Sequence, residues 1–266
     1  FKGWGVPNLW VKGKFKNVDV TLGSLYEQFG SGFILRTYEE RNLGIDNALS
    51  GARVVWNIHK GIRVKALSCF QRNYWKWNKS LISGADAEFS LDEYVPSMQA
   101  HNTQFSIGAS WVNKYEKADD VIMANPTHKL RLPEFVNAFD FRARLQAGGF
   151  SMLAEYAMKS QDPNELNSYI YGKGHAEMLS LTFVKSGLSL LAQAKRSENM
   201  GFRSKRTMSA LSNAGYVNHL PAFTVDQTYS LAALYPYATQ TEGEWAYQAS
   251  AAYKFKGKNA PKFKVN

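Results

Sequence analysis

A short charged segment in the first quarter of the chain contains the densest group of residues capable of polar chemistry. Its candidate residues are Arg36, Tyr38, Glu39, Glu40, Arg41 and Asp46. Carboxylates placed between arginines can bind a cation, meet the charges of a partner protein, or pair with one another on a solvated surface. A further alternative is that the segment folds inward and fills an interior space. Pairing or inward folding is favoured over partner contact, and partner contact over a ligand site.

A second set of charged residues recurs at alternate positions within apolar stretches. The candidates are Arg53, Arg63, Lys65, Asp86, Glu88, Asp140, Arg142, Arg144 and Glu155, with Asp19, Lys195 and Lys254 in equivalent positions. A period of two places such residues on one face of β-strands, opposite an apolar face. A ring of one sign at a constriction indicates a selective pore, whereas mixed charges can pair across a narrow lumen and fill it. Because both signs occur here, a structural network is slightly favoured over conduction.

Catalytic and metal chemistry have little support in the sequence. The histidines are scattered, at His59, His101, His128, His175 and His219, and none has a spacing that fixes a nucleophile beside it. Neighbouring strands set geometry in a sheet, so a Ser-His-carboxylate site stays a minor alternative. One cysteine, Cys69, and isolated histidines lack the spacing of metal ligands. We therefore predict no enzyme, no metal and no cofactor.

The elements that position these residues are β-strands, and the clearest covers residues 135–146. One face of this strand carries Phe135, Phe139 and Phe141, and the other carries Asp140 and Arg142. A strand of a soluble sandwich also alternates in this way, so one strand alone does not separate a sandwich from a membrane barrel. The pattern along the whole chain decides between them.

Alternation repeats in about eleven complete stretches, and a twelfth begins near Lys262. Long polar links are predicted near residues 28–50, 115–133, 160–173 and 197–243, with a smaller loop at 73–80, and most other links are tight turns. This regular exchange of short and long links is typical of an up-and-down transmembrane β-barrel with its long loops outside. We therefore predict a single all-β antiparallel barrel domain over residues 1–266. An odd strand count suits a segment of a larger barrel, because lipid tolerates no open strand edge.

Composition agrees with a barrel that lies in the outer membrane. Aromatic residues make up 14% of the 266 residues, which suits aromatic girdles at two interfaces. No run of 18 apolar residues occurs, so a transmembrane helix is not expected. The net charge of +10 is spread among strands and loops with no nucleic-acid-binding motif, so we expect contact with outer-membrane lipid and anionic glycolipid instead.

Two loop passages carry a family resemblance. They are residues 23–48, beginning Gly-Ser-Leu-Tyr-Glu-Gln-Phe-Gly, and residues 219–240, beginning His-Leu-Pro-Ala-Phe-Thr. Together with the strand spacing, they resemble a family of outer-membrane β-barrel proteins of unknown function from Bacteroidota, whose members are longer at both ends. The resemblance implies a fold and a location, and it brings no catalytic residues.

The expected role is that of a non-enzymatic structural or accessory subunit, whose external loops and basic rim contact other outer-membrane proteins. A pore or transporter for a small solute is the first alternative, and an outer-membrane hydrolase is the second. The alternatives differ in what the lumen and the long loops do, which the sequence leaves open.

Overall fold

A computed structural model describes residues 8–73, 76–118, 121–209, 212, 214–223, 239–255 and 261–266. In this part of the chain, twelve strands form one antiparallel sheet. The strands are β1 (Trp10–Phe15), β2 (Val18–Leu25), β3 (Leu49–His59), β4 (Ile62–Asn73), β5 (Lys76–Ser90), β6 (Thr103–Tyr115), β7 (Phe135–Ala147), β8 (Phe150–Lys159), β9 (Gly174–Lys185), β10 (Leu188–Glu198), β11 (Gly243–Lys254) and β12 (Lys262–Val265).

Each strand pairs with the strands that precede and follow it in the chain, which confirms the predicted up-and-down topology. The pairing is continuous through the middle of the sheet. For example, β7 pairs with β6 from Phe135–Tyr115 to Ala147–Thr103, and with β8 from Ala138–Lys159 to Ala147–Phe150. Among the described residues, β1 and β12 each pair on one side only.

Several strands are longer than the alternation predicts. The predicted loop at 73–80 is wrong over most of its length, because residues 76–80 form the first part of strand β5. Strand β3 likewise begins at Leu49, inside the predicted 28–50 loop, and β10 and β11 reach Glu198 and Gly243. Strand ends near the loops carry Trp, Lys and Asn rather than alternating apolar residues, so alternation in the sequence does not predict where these strands end.

The two faces of the sheet are reversed relative to a soluble protein. Phe139 and Phe141 of β7 are 36% and 50% exposed, whereas Asp140 and Arg142 between them are 0% and 5% exposed. The same outward apolar row continues on other strands through Leu22, Trp56, Phe70, Ile107, Trp111, Tyr156, Leu179, Leu190 and Tyr247. A soluble sandwich buries its apolar row. An outward apolar face with a polar face inside is the arrangement of a barrel in lipid.

The sheet curves around a common interior. One cluster of buried apolar side chains joins Leu25 of β2, Leu67 of β4, Val136 of β7 and Met178 of β9. In a flat sheet β2 and β9 would lie roughly 34 Å apart, at about 4.8 Å per strand. The curvature follows from the loop after β2, where Glu27 contacts Lys65 of β4 and Ser31, four residues on, contacts Glu155 of β8. The polar faces of the strands lie on the concave side.

The remaining elements lie at the two rims. The rim opposite the long loops carries two-residue turns at 16–17, 60–61, 148–149 and 186–187, and the short helix α1 (Pro96–Ala100). The long-loop rim carries two small hairpins, Glu39–Glu40 with Ile45–Asp46 and Met123–Asn125 with His128–Lys129. No helix among the described residues is long and apolar enough to cross a membrane.

Candidate functional site

Two segments of the long loops fold into the concave side of the sheet, and we refer to residues 26–37 and to the described residues between 200 and 223 as the inner loops. Phe29, Phe33 and Leu35 of the first and Phe202 and Val217 of the second are fully or almost fully buried. The loops are joined to one another, since the Asn218 side chain donates to the Phe33 carbonyl (2.7 Å) and the Arg36 amide donates to the Val217 carbonyl (2.9 Å). These parts of the predicted external loops 28–50 and 197–243 therefore lie inside rather than outside.

Strands on several sides hold the inner loops. Gln71 of β4 donates to the Tyr216 carbonyl (2.6 Å), and Asn78 of β5 donates to Ser204 Oγ (2.6 Å). Lys159 of β8 and Lys195 of β10 donate to the Gly201 and Pro221 carbonyls. Lys195 also pairs with Glu244 of β11. The polar residues of the concave face thus supply the partners that the backbone of a buried loop requires.

The first inner loop makes a tight turn against β7 and β8. Gly30 has a φ of +53°, and a Cβ atom there would lie 2.5 Å from Glu155 Oε1. The next residue, Ser31, donates its amide (2.8 Å) and its hydroxyl (2.5 Å) to the Glu155 carboxylate. Asp140 also lies at this turn, because the same Cβ atom at Gly30 would be 3.1 Å from Asp140 Oδ1. A glycine is needed at position 30 both for the left-handed backbone and for this close approach.

The centre of the concave face is a buried arginine with three carboxylates. Arg142 contacts Asp86 at 2.5 Å, Glu88 at 2.9 Å and Asp140 at 3.0 Å. Its guanidinium lies over Gly108, the residue opposite it on β6, where a Cβ atom would be 2.6 Å away. The absence of a side chain at Gly108 therefore makes room for this cluster.

A second charged cluster lies at the long-loop end of the same face. Lys114 of β6 contacts Asp162 at 2.8 Å, and Lys159 of β8 contacts it at 3.3 Å. Glu116 binds Arg206 of the second inner loop at 3.1 Å. Burial raises the pKa of Asp162, but the two lysines lower it more strongly, so the net pKa is below its ordinary value. Asp162 is therefore ionised and holds two buried cations.

Asp162→Asn should lower the free energy of unfolding by about 2 kcal/mol at neutral pH, because two buried ammonium groups lose their anion. The folded-state pKa of Asp162 is depressed, so its contribution is present above the unfolded pKa of about 3.9 and is lost as pH falls through the folded pKa. Urea unfolding of both proteins between roughly pH 6 and pH 2 should show the difference shrinking below pH 4. A difference that stays constant across this range would contradict the prediction.

A third cluster surrounds Glu27, next to the end of β2. Arg53 of β3 and Lys65 of β4 contact its two carboxylate oxygens at 2.8 and 3.0 Å. Burial raises the pKa of Glu27, and Lys65 followed by Arg53 lowers it to a net value below the ordinary one. Two of the basic residues predicted for the lumen thus share a single acid from the first inner loop.

The charged loop segment divides into a packed part and an exposed part. Arg36 stacks over Tyr38 at 5.3 Å, Tyr38 packs edge-on against His219 at 4.7 Å, and Asp46 pairs with Arg72 of β4. The remaining candidates lie at the hairpin tip, where Glu39 contacts Arg41 at 2.9 Å and Glu40 caps the Asn42 amide. Burial, and then Arg36, lower the pKa of His219 to about 4, so this histidine is neutral at physiological pH.

Basic residues remain on the concave face toward the short-turn rim, below the inner loops. In the described part of the chain, those outside the three clusters are Lys12, Lys14, Arg63, Arg144, Lys254, Lys262 and Lys264, placed on this face by their strand register. A cavity of about 430 Å³ adjoins Arg144 and is also lined by Gln104, Gln146 and Ser151 among others. Arg63 and Arg144 are exposed. The part of the lumen that the inner loops leave unfilled is therefore basic.

Sequence reasoning missed the second cluster. It included inward folding among the alternatives for the charged segment, but it did not identify the residues that fold inward. Lys114 and Lys159 could have been found, because both lie at alternate positions on the polar faces of strands that the sequence predicts. Asp162, Glu27 and Arg206 lie in loops, where no periodicity marks the direction of a side chain.

An inside-out antiparallel sheet whose strands follow one another in order defines a transmembrane β-barrel protein of the outer-membrane type, and the predicted fold class and location are confirmed. The family model described as a family of unknown function (DUF6029) matches residues 1–266, and the chain belongs to that family. No curated protein matches the chain.

Solved structures similar to the chain include three porin-type proteins. OccK3 (OpdO) of Pseudomonas aeruginosa has a TM-score of 0.40 and 12% identity, over 95% of this chain and 70% of that one. A BenF-like porin from Pseudomonas fluorescens Pf-5 has a TM-score of 0.40 and 9% identity, over 97% and 70%. OccK2 (OpdF) of P. aeruginosa, in complex with glucuronate, has a TM-score of 0.41 and 10% identity, over 97% and 75%. The fold and the location rest on the strand register and on the apolar outer and polar inner faces of the sheet, because these TM-scores are low.

Proposed function

We propose that this chain forms the wall and the constriction of a non-enzymatic outer-membrane channel for small anionic solutes, in a bacterium of the Bacteroidota. The observation that carries the proposal is the basic, unfilled part of the lumen below the inner loops. Arg63 and Arg144 are exposed there, and Lys254 lies directly opposite Lys262 in the β11–β12 register.

Like charges in opposite positions of neighbouring strands destabilise a sheet. A purely structural lumen network would pair them, as the three clusters around Glu27, Arg142 and Asp162 do. Basic residues outnumber acids below those clusters, where Asp19 lies opposite Lys14 and Glu88 lies opposite Arg63. Such a positive surface raises the local concentration of an anion that passes or binds. The inner loops, which narrow the lumen above, supply the selective constriction.

Reversing two of these charges tests the proposal. We expect the wild-type protein in a planar bilayer, under a KCl gradient, to show a reversal potential that indicates anion preference. Arg63→Glu combined with Arg144→Glu should move the reversal potential toward cation preference, because an acidic lumen wall repels anions. The matched control, Lys60→Glu with Lys185→Glu, changes net charge equally outside the lumen and should leave the potential unchanged.

Absence of conductance in folded wild-type protein would contradict the channel, and an unchanged reversal potential in the lumen variant would contradict the anion preference. The role of an accessory subunit remains a prediction. For contact with other outer-membrane proteins the chain retains exposed loop hairpins such as the one around Glu39 and Arg41.

A further inference from the structure

The sheet has a step at the long-loop rim between β5 and β6. Pairing of these two strands ends at Leu81–Tyr115, so residues 76–80 of β5 extend five residues beyond the end of β6. On its other side the projecting part is paired with β4, through Trp77–Arg72 and Lys76–Asn73. The edge of β5 that faces the step therefore offers backbone amide and carbonyl groups that β6 does not use.

A cleft of about 540 Å³ occupies this step, and we refer to it as the rim cleft. Its lining residues are Asn73, Lys76, Trp77, Asn78, Lys79, Ser80, Tyr115, Glu116, Lys117 and Lys205. The first six come from the β4–β5 rim, the end of β6 closes the opposite side, and Lys205 comes from the second inner loop. The cleft is thus built by three segments of the chain.

The charge of the rim cleft is strongly positive and is not internally compensated. Lys76, Lys79, Lys117 and Lys205 are all exposed, and none forms an ion pair with another described residue. The one acid among the described lining residues, Glu116, is engaged by Arg206 at 3.1 Å and by Lys114 at 3.6 Å. The buried Asn73 Oδ1 also has no hydrogen-bond partner in the described part of the chain.

We propose that the rim cleft binds a phosphorylated sugar, as presented by an anionic glycolipid of the outer leaflet. Four lysines supply the charge that phosphate groups require. The neighbouring amide groups and the free edge of β5 supply donors and acceptors for sugar hydroxyls. Trp77 and Tyr115 lie beside them, and such aromatic residues are enriched where a barrel meets the headgroup level of the membrane.

Lysines on a strand edge also protect a sheet from pairing with another sheet, and that role needs no ligand. It does not explain the contribution of Lys205, which lies on a loop, or of Lys117, which follows the end of β6. Lysines from three segments line one concave space, and this arrangement is expected of a site that binds an anion. This inference does not depend on conduction through the lumen.

Binding is tested with purified folded protein in detergent and three probes. The probes are a bisphosphorylated glucosamine-disaccharide lipid, the same lipid without its phosphates, and free glucosamine 1-phosphate. Lys79→Gln with Lys205→Gln should weaken binding of the phosphorylated lipid by about tenfold, since each lysine loses a charge-assisted hydrogen bond. The matched control, Lys60→Gln with Lys185→Gln, removes two exposed lysines at the opposite rim and should bind as the wild type does.

Phosphate-dependent binding that only the cleft variant weakens would support the site. If free glucosamine 1-phosphate binds as tightly as the lipid, the phosphosugar site is supported and its source is a soluble molecule. Equal binding of the dephosphorylated lipid, or equal loss in the cleft variant and the control, would overturn the proposal. The control variant lies outside the lumen and the three charged clusters, so its conductance should stay at the wild-type value.

Discussion

Arg142→Gln should lower the free energy of unfolding by about 3–5 kcal/mol, the largest effect expected of a single substitution in this protein. The guanidinium contacts Asp86, Glu88 and Asp140, and two of these carboxylates are almost fully buried. Glutamine removes the positive charge and leaves three acids close together on the concave face. Buried like charges without a cation are costly, so the folded state loses stability.

Arg144→Gln is the matched control for this substitution. Arg144 lies two residues further along the same strand and on the same face, but it is exposed and has no carboxylate within ion-pairing distance among the described residues. Its replacement should change the free energy of unfolding by less than about 0.5 kcal/mol. Urea unfolding in lipid vesicles, followed by tryptophan fluorescence, measures both variants. Equal effects would show that Arg142 is not the centre of a charge network.

The contrast between these two arginines also shows what the sequence can and cannot predict. Both occupy the polar face of β7, and the period of two predicts that face for each of them. They differ in burial because the first inner loop approaches the strand beside Arg142, through the contacts of Gly30 and Ser31 with Asp140 and Glu155. The contact of Ser31 with Glu155 spans 124 residues, and no local pattern indicates it.

The order of the strands, and which face of each strand is polar, were predictable because they depend on local alternation and on the length of the links between strands. The fold of the long loops was not, because the partners of an inner loop are polar atoms on distant strands. Asn218, for example, donates to the carbonyl of Phe33 across 185 residues. The mixed charges on the concave face gave a partial signal, since paired acids and bases indicate a filled lumen. They did not show that an excess of basic residues remains in the lumen below the inner loops.

Shortening the first inner loop should raise the single-channel conductance severalfold. Gln28 and Arg36 form a bridge across the base of this loop, so replacing residues 29–35 with Gly-Gly can close it without moving the flanking residues. The replacement removes Phe29, Phe33, Ile34 and Leu35, whose side chains are fully or almost fully buried. Conductance depends on the narrowest cross-section of the pore, and the first inner loop supplies much of that constriction.

The exposed hairpin on the neighbouring long loop provides a control of equal size. The amide of Leu130 donates to the carbonyl of Ile122 at 2.7 Å, so replacing residues 123–129 with Gly-Gly removes the same number of residues from a loop with equally close ends. This hairpin contacts the solvent, and its loss should leave the conductance at the wild-type value. If the two shortened proteins conduct alike, the first inner loop is not the constriction, and the lumen must be narrowed elsewhere. If only the variant shortened at 29–35 conducts more, the inward fold of this loop limits ion flow through the lumen.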